Sequence, residues 1–290
     1  MKERLSVGTV QFGLPYGIAN CTGQVDFEEA QLILTTAHHA GINALDTAAA
    51  YGASEEVLGR IGVAGWQIVT KLPPLPEACT DVSLWVRGQL LSSLKRLHVN
   101  RVYGLLLHRP LDLLSSRGSE LYTALRRAKD DGLVDKIGAS TYSPSDLDEL
   151  ASLTLDMVQA PFSILDRRLV TSGWLGRLYE AGVEVHARSV FLQGLLLMGR
   201  ERRELTFGRW AHLWERWDSW LTQKDLQPLE ACLRYALSEP RISRVVVGVD
   251  NERHLRQILA ALQTTSELVP PADLVSDDID LINPSRWGAR

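Results

Sequence analysis

The most constraining feature of this 290-residue chain is a rhythm. Short apolar runs rich in Val, Ile and Leu alternate with longer segments whose apolar residues recur at helical spacing. Eight such runs are legible: Leu5–Thr9, Ile42–Asp46, Trp66–Thr70, Val102–Leu107, Val134–Ala139, Asp156–Ala160, Val183–Ala187 and Arg244–Gly248. Each is followed by a helix, although the first and seventh reach theirs only after a longer segment. Apolar strands separated by amphipathic helices predict a parallel sheet covered by helices. Eight units in about 265 residues predict an α/β fold closed as a (β/α)8 TIM barrel, which leaves no edge strand. The rival, an open doubly wound sheet, is favoured by a GxGxxG turn after the first strand, and that turn is absent.

No internal repeat or low-complexity linker divides the chain, so one domain over residues 1–290 is expected. Two segments break the rhythm: a Trp-rich insertion after strand seven (about 191–223) and a tail expected to be irregular (about 266–290). The formal net charge of −4 gives no electrostatic footprint for nucleic acid or an anionic membrane. Three scattered cysteines, Cys21, Cys79 and Cys232, fit neither a disulfide framework nor a zinc site, and no metal is expected. With no signal-peptide run and no long apolar span, the expectation is a soluble cytoplasmic protein, a monomer or weak homo-oligomer, that acts on a small molecule.

In a (β/α)8 barrel, chemistry sits at the C-terminal ends of the strands. Those ends are polar here. Asp46 closes strand two, and Tyr51 follows on its loop, within GINALDTAAAYGASEEVLG. Lys71 closes strand three and His108 strand four; Ser140 closes strand five, Gln159 lies near the end of six and Arg188 follows seven. Neighbouring strands are about 5 Å apart, so Asp46, Tyr51, Lys71 and His108 are expected to converge. A lysine beside a phenol lowers its pKa from about 10, which makes Tyr51 a better proton donor. Asp46 then keeps the lysine charged, and His108 is placed to orient a carbonyl. Such a group polarises and protonates a carbonyl oxygen, and the hydride must come from a cofactor. A Schiff-base lyase acting through Lys71 uses some of the same residues.

At these positions the chain resembles the aldo-keto reductase superfamily. GINALDTAAAYGASEEVLG matches its first signature, IVTKLP carries the matching lysine and YGLLLHRP the matching histidine. IGASTYSPSDL, VQAPFSILDRR, EVHARSVFLQGLL and VVVGVDNERHLRQIL resemble the later blocks in order, so the likeness runs from Leu5 to about Leu262. It implies catalytic Asp46, Tyr51, Lys71 and His108, and a nicotinamide cofactor, NADPH or NADH, with NADPH favoured by the family. It implies interconversion of an aldehyde or ketone with its alcohol, and the polar Gln11, Arg188 and Gln193 around the mouth point to a sugar-like substrate. It also admits a cofactor-binding subunit without catalysis.

The same resemblance assigns cofactor contacts to Ser140, Thr141, Gln159, Arg188, Gly248, Asn251 and Arg253. Three of these regions depart from the family. Thr141 stands where Asn is common, and Arg188 where an aromatic ring often stacks on the nicotinamide. Gly248–His254 replaces a Lys/Ser/Arg-rich phosphate block. There, Asp250 and Glu252 oppose a 2′-phosphate and Arg253 and Arg256 favour one, while the helix N-terminus near Asn251 offers backbone N–H groups. Trp210, Trp214, Trp217 and Trp220 fall on one helical stripe, read either as packing or as a wall of the barrel mouth. Gln11, Phe12, Gln193 and Trp287 are further candidates for the mouth, and Asp277–Asp278 reads as a solvated face.

Overall fold

The protein is described here from a computed structural model covering residues 1–262 and 268–287. The eight runs form strands β1 (Leu5–Gly8), β2 (Ala44–Asp46), β3 (Gln67–Leu72), β4 (Val102–Leu107), β5 (Val134–Ser140), β6 (Met157–Pro161), β7 (Glu184–Arg188) and β8 (Arg244–Gly248). All pair in parallel with their sequence neighbours. β8 returns to β1 through four pairs, from Leu5↔Val245 to Gly8↔Gly248, and the sheet closes into a (β/α)8 barrel. Strands such as β3 are buried along nearly their whole length, as a sheet covered outside and filled inside requires.

The helices that cover it are α1 (Phe27–His39), α2 (Ser54–Ile61), α3 (Val82–Leu97), α4 (Gly118–Asp130), α5 (Pro144–Glu149), α6 (Trp174–Glu180), α9 (Pro228–Ser238) and α10 (Glu252–Ala261). Their starts follow local chemistry. Asp26 and Asp81 accept from Glu29 N and Leu84 N at 2.8 and 2.9 Å, satisfying backbone donors that α1 and α3 leave open. Ser143 and Asp146 form a capping box at α5, with Pro144 in its first turn. Apolar faces of these helices meet the outer strand surface in one continuous core. Val69, Leu106 and Met157 form a separate buried cluster; they come from β3, β4 and β6 and fill the barrel's interior.

The insertion contains α7 (Arg200–Phe207) and α8 (Ala211–Lys224). Trp214, Trp217 and Trp220 are buried, and Trp214 Nε1 donates to the Phe207 carbonyl at 2.8 Å. A buried indole contributes roughly 2–3 kcal/mol through its apolar area, so the stripe holds the insertion together. In the tail, residues 266–267 and 288–290 lie outside the described residues. Two short helical turns, Ile279–Ile282 and Pro284–Arg286, occupy part of the remainder. Asp278 caps the first of them and also accepts from Arg209 and from Trp210 Nε1 at 3.0 Å. The acidic pair is therefore not simply a solvated face: Asp277 is exposed, whereas Asp278 joins tail to insertion. Among the described residues, no helix is long and apolar enough to cross a membrane.

Candidate active site

Asp46 is the last residue of β2, and Lys71 is the fifth of β3, one strand over. Both are buried, so each charge needs compensation. Lys71 Nζ lies 2.8 Å from each Asp46 carboxylate oxygen and 2.9 Å from the Thr47 carbonyl. Its remaining direction points to Tyr51 Oη at 3.4 Å. Gln159 Nε2 donates to Asp46 Oδ1 at 2.6 Å, and Gln159 Oε1 accepts from Ser140 Oγ at 3.3 Å. The carboxylate accepts only, which fixes the orientation of the amide. β5 and β6 thus steady an ion pair that belongs to β2 and β3.

The turn that carries Tyr51 is anchored from beneath. Ser54 Oγ, at the start of α2, donates to the Thr9 carbonyl at 2.8 Å and lies 3.1 Å from Thr47 Oγ1. Gly13 lets the loop after β1 approach: a Cβ there would lie 1.8 Å from the Tyr51 carbonyl oxygen. The Tyr51 ring meets His108 edge-on, with centroids 5.9 Å apart, and Lys71 Nζ is 5.0 Å from the Tyr51 centroid.

These contacts set the protonation states. Burial works against the Lys71 ammonium, but Asp46 and Tyr51 outweigh it and raise its pKa. Burial raises Tyr51 above the ordinary phenol value; Lys71 pulls it down by less, and Asp46 opposes that pull. The expected net lowering of Tyr51 is thus reversed, because burial outweighs the lysine's pull and Asp46 offsets part of that pull. His108 is lowered to about 4 by burial and by the Lys71 charge, so its imidazole is neutral at pH 7.

A cavity of about 1020 Å³ opens above this group. Asp46, Tyr51, His108, Ser140, Gln159, Arg188 and Gly248 line it; Thr141, Asn251 and Arg253 do not. Thr141 is buried beneath, and its carbonyl accepts from Arg188 Nη2 at 2.8 Å. Arg188 also lies 4.6 Å over the ring of Tyr142, a cavity-lining residue with no strand-end signal in the sequence. Gln11 lines the cavity, its Oε1 buried without a partner, and a Cβ on Gly248 would come within 2.6 Å of its amide. Gln193 bonds Tyr16 Oη at 2.8 Å, joining the loops after β7 and β1.

Other candidates fall outside. The four tryptophans of the stripe, Phe12 and Trp287 do not line the cavity; Trp287 packs on Phe207 with centroids 5.0 Å apart. The tail contributes Asn283, Pro284 and Ser285 instead. At the start of α10 the expected open N–H groups are partly taken. Glu29 Oε1 accepts from Glu252 N at 2.5 Å and Asn251 Oδ1 from His254 N at 2.9 Å.

Known proteins agree with this fold. A model of the Aldo/keto reductase family matches residues 4–270. No curated protein matches the chain. A crystal structure of a candidate aldo-keto reductase from Pseudomonas aeruginosa is 25% identical, with 89% of this chain and 88% of that one covered and a TM-score of 0.66. The holo form of an aldo-keto reductase from Bacillus halodurans is similar in fold, with 20% identity, 93% and 89% coverage and a TM-score of 0.70. A barrel closed in this order and a family match across nearly all its length lead to one conclusion: the chain belongs to the aldo/keto reductase family, oxidoreductases that act on carbonyl compounds.

Proposed function

We propose that the protein reduces an aldehyde or ketone to its alcohol with a nicotinamide dinucleotide, Tyr51 acting as proton donor. The observation that carries this reading is the buried Asp46–Lys71 pair, whose ammonium reaches Tyr51 Oη beside a neutral His108 and beneath a large cavity. The cavity's residues fit the cofactor. Its volume of about 1020 Å³ suits a dinucleotide, and Gln11 Oε1 and Arg188 Nε are buried polar atoms without partners. Ser140, Gln159, Arg188 and Gly248 are the residues that would hold it.

When bound, the nicotinamide supplies a hydride. His108 donates an imidazole N–H to the substrate oxygen and fixes its direction. Tyr51, protonated at neutral pH because burial raises its pKa, gives that oxygen its proton. Lys71 stabilises the phenolate as it forms, and Asp46 with Gln159 keeps the ammonium in place. Oxidation of an alcohol needs the phenolate at the outset, so it is favoured only at high pH. The lyase reading loses its footing: a Schiff base needs a neutral amine, whereas Lys71 is held charged by both Asp46 oxygens and the Thr47 carbonyl.

The test is Tyr51→Phe, assayed against a panel of aldehydes, ketones and sugars. Turnover should fall by about 10²–10⁴ while dinucleotide binding persists. Near-normal turnover in the variant would sink the assignment.

A further inference from the structure

Charge is unevenly placed along the cavity. Among the described residues that line it, Arg188 is the one Arg or Lys, and it sits at the strand end of β7. At the far end, where β8 gives way to α10, the ionisable lining residues are Asp250 and His254, and Glu230 lines the cavity from α9. Glu230 is paired with Arg234 at 2.9 Å. Among the described residues, Asp250 meets Asn20 at 3.3 Å, His254 at 3.8 Å and the Gln11 amide. Two more carboxylates stand behind it. Glu29 caps Glu252 N, and Glu252 accepts from Thr36 Oγ1 at 2.8 Å and Arg256 Nε at 2.5 Å.

A helix N-terminus attracts anions through its dipole and its free N–H groups. Here that attraction is already answered, at N1 by the Glu29 carboxylate and at the third position by the Asn251 side chain. Arg256, a candidate phosphate ligand by sequence, is committed to Glu252, and Arg253 is exposed away from the cavity.

We infer that this end of the cavity selects a dinucleotide with a free ribose 2′-hydroxyl, so that NADH rather than NADPH is the cofactor, and that Glu29 and Asp250 enforce the choice. The inference rests on the nicotinamide reading above. With the nicotinamide beside Tyr51, the adenosine lies at the opposite end. A 2′-phosphate there brings close to two negative charges into a region holding three carboxylates, and among the described residues no Arg or Lys lines that end of the cavity. A hydroxyl donates a hydrogen bond to a carboxylate instead, which is how an acid at a ribose favours NAD over NADP. The family's leaning towards NADPH is thereby reversed for this chain.

Titration of the purified protein with NADH and with NADPH, followed by quenching of tryptophan fluorescence, tests this without any substrate. NADPH should bind about tenfold or more weakly. The gap should shrink between about 50 mM and about 500 mM salt, because repulsion between exposed charges is screened. Glu29→Gln, with its fold checked by circular dichroism, should tighten NADPH several-fold relative to NADH. NADPH binding as tightly as NADH to the unaltered protein overturns the inference while leaving the reductase reading intact. Binding of neither dinucleotide overturns both. A gap indifferent to salt and to Glu29→Gln removes the carboxylates as its cause.

Discussion

The barrel holds two quartets made of the same four kinds of group, one at each end and each at least partly buried. At the C-terminal end are Asp46, Tyr51, Lys71 and His108. At the N-terminal end are Glu184, Tyr103, Lys136 and His186. In the lower quartet the carboxylate is the hub: Glu184 accepts from Tyr103 Oη at 2.6 Å, from Lys136, and meets His186 Nε2 at 2.6 Å. Burial pushes Glu184 up, but those three partners overcome it and hold it near 2. In the upper quartet the ammonium is the hub, and Tyr51 Oη has only a long contact to it, at 3.4 Å. Tyr51 and His108 face the cavity, whereas no member of the lower quartet lines it. The same side chains therefore make a plug when they satisfy one another and a candidate reaction centre when one hydroxyl and one imidazole are left over.

Paired substitutions test that contrast. The largest effect should come from the phenols: Tyr51→Phe cuts turnover by about 10²–10⁴, whereas Tyr103→Phe leaves it near normal and lowers stability by about 1–3 kcal/mol. A comparable loss of turnover in both would erase the distinction. Next, Glu184→Gln leaves Lys136 and His186 without their carboxylate, and the midpoint of urea unfolding should drop by the equivalent of about 2–4 kcal/mol with KM unchanged. A melting curve like that of the unaltered protein would show the plug to be dispensable.

The pH dependences should separate as well. Both shifts are depressions, so both contributions are present above the unfolded pKa and lost as pH falls through the folded one. For His108 that window runs from 6.5 down to about 4, and for Glu184 from 4.5 down to about 2. His108→Asn should flatten the upper part of the acid-unfolding curve and Glu184→Gln the lower part. In the unaltered enzyme, kcat/KM for reduction should hold level across neutral pH and fall only near pH 4, as His108 takes up a proton. The smallest effect belongs to Trp217→Phe, which should lower Tm by a few degrees without changing KM, because Trp217 is buried away from the cavity.

How legible the molecule was depends on how local each signal is. The strands could be read because a barrel strand is a short apolar run between helices, and their observed ends lie within about two residues of the expected ones. Asp46, Lys71 and His108 stood out because polar groups ending apolar strands have little packing use. Other features depend on contacts that spacing cannot show. Glu29 and Glu252 N are 223 positions apart, so the closing of the α10 N-terminus was invisible, and an open anion site was expected instead. Tyr142 gained meaning only once Arg188 folded over it. The tryptophan stripe announced a helix but not its facing; Trp214, Trp217 and Trp220 turned towards Phe207 and the continuous core rather than the cavity. The tail's Asn283–Ser285 reach the cavity by a path that no periodicity encodes.

The seam between β1 and β8 has a consequence for how the chain acquires its shape. Residues Leu5–Gly8 find their partners about 240 positions later, at Val245–Gly248. Bringing such distant segments together is entropically slow, and topologies dominated by distant pairings fold slowly. Any length of chain that stops before Arg244 leaves β1 and β7 as two open edges, each a row of unpaired N–H and C=O groups available to other chains. Aggregation during synthesis should therefore be governed by the arrival of five residues, Arg244–Gly248, and weakening that short strand should lower soluble yield well before it lowers the activity of the molecules that do close.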